Sequence, residues 1–189
     1  MSHDVSRRLL LGYALSCGVV AATVYRSARA AAPSAAAAGD GVTVEAFGAD
    51  GRSRGTVVLP KVIRTEAQWR QQLSAPAYTV TRQEGTEFAF SGAYNNNHAD
   101  GVYSCICCAT ALFDSRTKFE SGTGWPSFWR PISRFNVVER TDVGLGMRRV
   151  AVSCTRCDAH LGHVFADGPP PTGLRYCMNS VALAFAARA

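Results

Sequence analysis

Seven cysteines lie along the 189 residues, and four of them form two matched C-x-x-C pairs. The pairs are Cys105 with Cys108 and Cys154 with Cys157, and each follows a strand-like run. Two tight turns of this kind, brought together, present four thiolates in a tetrahedron, the usual arrangement of a structural zinc site. The sequence therefore predicts one Zn²⁺ that clips together two distant parts of the chain.

Two other interpretations of these pairs stay open from the residues alone. The thiols could form two disulfides, which are common in exported proteins, or one pair could be a redox-active C-x-x-C, although such a motif is expected to open a helix. Cys107 adjoins Cys108 but could replace it as a ligand only by distorting the turn. Zinc is favoured because two matched pairs are a strong signal.

Cys177 stands apart from the pairs, in the segment Arg175-Tyr176-Cys177-Met178-Asn179. A lone cysteine is most often a small buried apolar residue. On a strand, however, Arg175 and Asn179 would share the face of Cys177, because alternate side chains point the same way. A cation and an amide beside a thiol favour the thiolate, so Cys177 is the predicted nucleophile.

Two further segments hold residue types that can do chemistry. His160 and His163, two of the four histidines, lie in HLGHVFADG at 160–168, and Trp125 lies in SGTGWPSFW at 121–129. Taken singly, the histidines could be core residues or metal ligands, and the tryptophan could simply pack in the core.

Together these motifs resemble the B-type methionine sulfoxide reductases over about residues 84–185. The resemblance rests on motifs in one fixed order, at residues 84–87, 101–103, 117–119, 124–128, 160–165, 173–177 and 179–180. It implies a fold of two antiparallel sheets with a zinc site distant from the catalytic cysteine.

The resemblance also implies an activity and a site. The substrate would be the R epimer of methionine sulfoxide, free or in proteins, with Cys177 as nucleophile and Trp125 lining the pocket for the substrate methyl group. The implied polar surround of the thiol consists of His160, His163, Asp167, Arg175 and Asn179. A histidine that titrates near neutrality can supply the proton that the sulfoxide oxygen needs.

One position departs from the family pattern. Many members carry a resolving cysteine between the two glycines before Trp-Pro, and here that position is Thr123. Cys107, flanked by predicted zinc ligands, is not expected to take its place. We therefore expect a thioredoxin-like dithiol protein to reduce the sulfenic acid of Cys177 directly.

Two competing functions remain in view. A zinc-dependent binding module would have no need of Cys177, His163 or Asn179. A peroxide-reducing or redox-sensing thiol protein would share the reactive cysteine but gives no reason for an aromatic wall at Trp125.

The N-terminal 30 residues have the layout of an export signal. Arg7 and Arg8 precede an apolar run, and Ala28-Arg29-Ala30 offers a cleavage site, which predicts twin-arginine export to a periplasm. An uncleaved membrane anchor and a lipoprotein acylated at Cys17 are the alternatives. Residues 31–41, rich in alanine, are a predicted flexible linker.

The remaining residues, 42–189, predict one mostly β domain with core motifs at 78–186. Residues 42–60 indicate a hairpin or an ordered arm, and Thr65 with Gln68 resembles a capping box for one helix near 65–74, ended by Pro76. Beyond Tyr78 come short β-type runs at 101–103, 135–138, 149–152 and 181–185.

The charge of the chain does not point to nucleic acid. The formal net charge is +6, but half of it lies in the first 30 residues, where four arginines face Asp4 alone. The domain has no cluster of basic residues interleaved with aromatics, so nucleic-acid binding is not expected. Membrane contact is expected only through an uncleaved leader.

Overall fold

A computed structural model describes residues 41–143 and 148–188. The predicted export signal, Cys17 and nearly all of the predicted linker lie outside these residues. Within the described part of the chain, no helix is long and apolar enough to cross a membrane.

The described chain is mostly β, as predicted, with three antiparallel sheets and two short helices. The helices are α1 (Glu66–Gln72) and α2 (Ala75–Gln83). The strands are β1 (Gly41–Phe47), β2 (Ser53–Pro60), β3 (Gly101–Cys105), β4 (Ala111–Asp114), β5 (Lys118–Phe119), β6 (Ser127–Phe128), β7 (Val137–Asp142), β8 (Arg149–Cys154), β9 (His160–Phe165), β10 (Arg175–Met178) and β11 (Leu183–Ala187).

Two of the sheets build the core. One has six strands in the order β5-β6-β10-β9-β8-β7, and the other has three in the order β11-β3-β4. Phe128 of the larger sheet joins them, with its ring centroid 5.1 Å from that of Tyr103 and 4.4 Å from that of Phe113. All three side chains are fully buried, so this aromatic contact is the centre of the core.

The third sheet is the hairpin β1–β2, which confirms the hairpin expected over 42–60. It is attached to the core by Asn136, whose side chain accepts from the Glu45 amide at 2.8 Å and donates to the Glu45 carbonyl at 2.9 Å. The same amide group donates to Ala111 O at 2.8 Å, so one buried residue links the hairpin to β4.

The predicted helix near 65–74 is confirmed as α1, but a second helix was not predicted and the interpretation of Pro76 as the end of α1 was wrong. Thr65 does form the capping box with Gln68, but the chain turns at Leu73 and starts α2 with Ser74 as N-cap. Pro76 lies in the first turn of α2, where its missing N–H costs nothing, so it begins a helix rather than ending one.

Two strand boundaries also differ from the prediction. Residues 180–182 form a 3-10 turn, so the last strand begins at Leu183 rather than at Val181. β7 begins at Val137, because Asn136 is used to hold the hairpin.

Candidate active site and zinc centre

The four paired cysteines come together as the spacing predicts. The sulfurs of Cys105, Cys108, Cys154 and Cys157 lie within 4.8 Å of one another, and two of the Sγ–Sγ distances are 3.6 Å. Four sulfurs at about 2.3 Å from a tetrahedral zinc would be about 3.8 Å apart. The cluster therefore has the dimensions of a structural zinc site.

The two knuckles of this centre have the same backbone. The amides of Ala109 and Asp158 donate to the carbonyls of the first cysteine of each pair, at 2.8 and 2.9 Å. Both residues have positive φ, 60° and 56°. Each knuckle thus closes with a left-handed residue, which aims both thiols of the pair to one side.

The close packing of the thiols also fits a cation. Hydrogen bonds with the neighbouring thiols, first those of Cys107 and Cys108, raise the pKa of Cys105 well above its usual range. Several thiolates this close repel each other unless a divalent ion neutralises them. Cys107 is itself buried but lies outside the four-sulfur group.

Cys177 lies at the middle of the six-stranded sheet, away from the zinc knuckles. On β10 it pairs with His163 of β9 on one side and Ser127 of β6 on the other. It lines a cavity of about 150 Å³. The other residues of the cavity wall are Thr86, Trp125, Arg149, Gly162, His163, Phe165 and Asn179.

The cavity depends on a close approach of two strands. Gly162 of β9 is opposite Met178 of β10. A Cβ at Gly162 would collide with the carbonyl oxygen of Cys177. The missing side chain is what allows the strand that carries His163 to lie against the strand that carries Cys177.

The sequence predicts that Arg175 and Asn179 favour the thiolate of Cys177, but in the structure the pKa of this thiol is raised. Burial raises its pKa, and the hydrogen bond from Thr123 and the charge of Arg175 offset that rise only in part. Arg175 makes a bidentate ion pair with Asp167, at 2.9 and 2.8 Å. Because the cation is already paired, its effect on the thiol is smaller than its position in the sequence suggests.

The two predicted histidines occupy different environments. His163 lines the cavity, and its Nε2 is 2.9 Å from Asp142 Oδ2. His160 is buried beside it, with ring centroids 5.2 Å apart. Burial and then the charge of His163 lower the pKa of His160 to about 4, so His160 stays neutral at physiological pH.

Asn179 lines the cavity together with Cys177, as the sequence predicts, whereas Asp167 does not line it. The Asn179 side chain accepts from the Glu87 amide at 2.9 Å and donates to Leu161 O at 3.0 Å, so it fixes two backbone segments of the wall. Asp167 is exposed and does not line the cavity, since it holds Arg175 from outside.

Several residues of the site were missed by sequence reasoning. Asp142 bridges His163 and Arg149, with the Arg149 contact at 2.7 Å. Arg149 lines the cavity, and its buried Nε has no hydrogen-bond partner in the described part of the chain. Phe165 completes the aromatic wall. The register of β7 with β8, which places Asp142 opposite Arg149, was the only signal that could have found this pair.

Comparison with known proteins agrees with this geometry. Residues 73–187 match the family model for the SelR domain. The peptide methionine sulfoxide reductase MsrB of Pseudomonas putida is 55% identical over 125 residues, which cover 66% of this chain and 95% of that protein. The protein of the same name from Pseudomonas fluorescens is 57% identical over 125 residues, 66% of this chain and 96% of the relative.

Proposed function

The chain belongs to the SelR family, the B-type methionine sulfoxide reductases, and we propose that it reduces the R epimer of methionine sulfoxide through Cys177. The structural zinc of the family is held by Cys105, Cys108, Cys154 and Cys157. The observation that carries the proposal is a lone thiol in a small cavity with an indole wall, a histidine and an arginine.

In the first step the Cys177 thiolate attacks the sulfoxide sulfur. The sulfur–oxygen bond of the substrate breaks, and the oxygen passes with a proton to Cys177. Methionine leaves and Cys177 becomes a sulfenic acid, the first reversible product of thiol oxidation. In this proposal His163, whose Nε2 is 2.9 Å from Asp142 Oδ2, supplies the proton, and Arg149, which also contacts Asp142, hydrogen bonds the sulfoxide oxygen.

The aromatic walls supply the selectivity for one epimer. Trp125 is held by a hydrogen bond from its Nε1 to Glu87 O at 3.1 Å, and Phe165 is held under Arg175, 4.5 Å from the guanidinium carbon to the ring centroid. Fixed rings leave an apolar space for the S-methyl group. With the methyl group there, only one configuration at sulfur turns its oxygen towards His163 and Arg149.

In the second step an external dithiol restores the enzyme. Two thiols of the reductant give up two electrons and two protons, so the sulfenic acid becomes a thiol, water is released and the reductant becomes a disulfide. Thr123 has no thiol to offer, although its Oγ1 is 3.9 Å from Cys177 Sγ. The partner that fits this chemistry is a thioredoxin-like protein.

The test uses the separate R and S epimers of a blocked methionine sulfoxide with dithiothreitol. We expect turnover of the R epimer alone, abolished by Cys177→Ser and largely kept by the matched control Cys107→Ser. Loss of activity in Cys107→Ser alone would assign that thiol to recycling. No turnover of either epimer by the folded, zinc-loaded protein would favour a binding module, and consumption of peroxide instead would favour a redox sensor.

A further inference from the structure

Two phenylalanines beside the active-site cavity are exposed to solvent. Phe88 is 88% exposed and Phe90 is 68% exposed. Among the large apolar side chains of the described chain, Phe88 is the most exposed. Both belong to residues 86–91, here called the strap. The strap begins at Thr86, which lines the cavity. Neighbouring exposed aromatic groups of this kind mark interaction sites more often than chance exposure.

The strap is fixed to the cavity wall. The Glu87 backbone bonds Asn179 and Trp125, and its carboxylate accepts from the amides of Ser180 and Val181 at 2.7 and 3.0 Å. The backbone that carries the two phenylalanines is therefore held against the cavity wall.

Phe90 is also held in an unfavourable conformation. Its φ is 63°, a region that bulky residues rarely adopt. Its amide donates to Gly124 O at 2.8 Å, and a Cβ at Gly124 would lie 2.8 Å from Phe90 Cδ2. Backbone strain of this kind costs on the order of 1–3 kcal/mol and concentrates at ligand sites. Phe90 thus lies directly against the residue that precedes Trp125.

We propose that Phe88 and Phe90 form an apolar rim that binds the apolar residues flanking methionine sulfoxide in an unfolded protein substrate. The proposal rests on the proposed function and names its substrate class. Methionine is mostly buried among apolar residues, and its oxidation puts a polar group there and disrupts the packing. The segment that reaches the enzyme therefore exposes apolar side chains next to the sulfoxide, and the rim continues the cavity that takes the sulfoxide itself.

Three R-sulfoxide substrates test the rim. They are a blocked single residue, a pentapeptide with leucine on both sides of the sulfoxide and a pentapeptide with glycine on both sides. The native enzyme is expected to show a kcat/KM about tenfold higher for the leucine peptide than for the glycine peptide, as partial burial of one apolar side chain would give. The difference should lie mainly in KM, since the flanking residues do not touch the reacting atoms.

Variants of the two phenylalanines test whether the rim causes the preference for the leucine peptide. Phe88→Ala and Phe90→Ala should each reduce the leucine-to-glycine ratio, and the double variant should bring it close to one, while Phe88→Leu retains most of it. The matched control is Phe135→Ala, which removes a partly exposed phenylalanine on another surface and should keep the native ratio. If Phe90→Ala fails to fold, Phe88→Ala decides alone, because a side chain 88% exposed contributes little to folding.

The outcomes separate this proposal from the proposed function. The proposed rim is contradicted if the native enzyme has a leucine-to-glycine ratio of kcat/KM near one, or if the double variant keeps the native ratio. A dimer that Phe88→Ala dissociates without changing the ratio also overturns it and assigns the surface to a second copy of the chain. Absence of R-sulfoxide reduction with all three substrates instead rejects the proposed function.

Discussion

The hydroxyl of Thr123 is 3.9 Å from Cys177 Sγ, at the position where the sequence resemblance implies a resolving thiol. It belongs to a short chain of hydroxyl groups, since Ser121 bonds Thr123 at 2.8 Å and Ser127 donates to Ser121 at 2.8 Å. Its hydrogen bond lowers the pKa of Cys177 against the larger effect of burial. In the proposed cycle Thr123 would therefore support the attack by Cys177, but without a thiol it could not take part in the recycling step.

Removal of this hydroxyl should make Cys177 less reactive. Thr123→Val raises the pKa of the thiol further, so at pH 8 a smaller fraction is thiolate, and the rate of alkylation by iodoacetamide should fall about two- to threefold. Thr123→Ser keeps the hydroxyl and should react like the native protein. In all three proteins the alkylation rate should still increase with pH above the range in which an ordinary thiol ionises, because the pKa of Cys177 is raised in the folded state. Equal or faster alkylation of the valine variant would contradict this account.

Asp142 is the acid that should matter most to catalysis, although the sequence singled out Asp167. Asp142→Asn weakens the hold on His163 and Arg149, and we expect kcat to fall about tenfold to a hundredfold, as for a misplaced general acid. Asp167→Asn, the comparison variant, removes a carboxylate that lies outside the cavity and should cost less. A larger loss in Asp167→Asn, measured on the blocked R-sulfoxide, would restore the assignment made from sequence.

The site residues found from sequence are those with distinctive type or spacing. Cysteine, tryptophan and paired histidines stand out in any segment, and their motifs located Cys177, Trp125 and His163. Asp142 and Arg149 are ordinary charged residues in a charged stretch. Their role depends on the register of β7 with β8, which no local pattern in the sequence specifies.

At the scale of elements, the predicted helices and strands differ from the observed ones mainly at their ends, where turns and caps decide the boundary. The capping box at Thr65 correctly located α1. Pro76 was interpreted as a stop, although proline in a first turn is equally compatible with a helix start. Val181 has strand propensity, but the Glu87 carboxylate caps its amide and holds the chain in a 3-10 turn. A local helix-start signal decided the first case, and a tertiary contact decided the second.

The zinc knuckles suggest a stabilising substitution. Ala109 is exposed at φ 60°, where a Cβ costs about 1 kcal/mol and glycine costs little. Ala109→Gly should therefore raise the melting temperature of the zinc-loaded protein by roughly 2–4 °C. Ala187→Gly, in the ordinary strand β11, should lower it. A decrease for Ala109→Gly would show that the left-handed turn is not strained by alanine.

At the scale of the molecule, zinc joins the two core sheets. Cys105 ends β3 of the smaller sheet and Cys108 follows it, while Cys154 ends β8 of the larger sheet and Cys157 follows it. The shorter loop closed by the metal spans the 46 positions from Cys108 to Cys154. A cross-link over such a loop adds roughly 4 kcal/mol to the free energy of unfolding, because it restricts the unfolded chain.

Removal of zinc should therefore destabilise the whole domain. We expect a strong chelator to lower the melting temperature by at least about 10 °C, with about one zinc per chain released and recovery on adding Zn²⁺ back. An unchanged melting temperature after complete removal, or intact disulfides by mass in place of metal, would reject the zinc assignment.

The leader remains a proposal about the whole chain. We propose export by the twin-arginine route, which carries folded proteins and so suits a domain that loads its metal first. Mass spectrometry of the exported protein should give a mature N-terminus at Ala31, and replacement of Arg7 and Arg8 by lysine should hold the precursor in the cytoplasm. A mature protein that begins at Met1 or Ser2 would contradict cleavage.

The zinc centre also sets a limit on how much oxidative damage the repair enzyme itself can survive. In the proposed cycle Cys177 is oxidised once per turnover and then restored, whereas oxidation of a zinc ligand would release the ion. Three of the four ligands are buried, and Cys108 is the more accessible one. Among the four ligands, oxidation should therefore begin at Cys108, and the loss of zinc that follows would destabilise the fold whatever the state of Cys177.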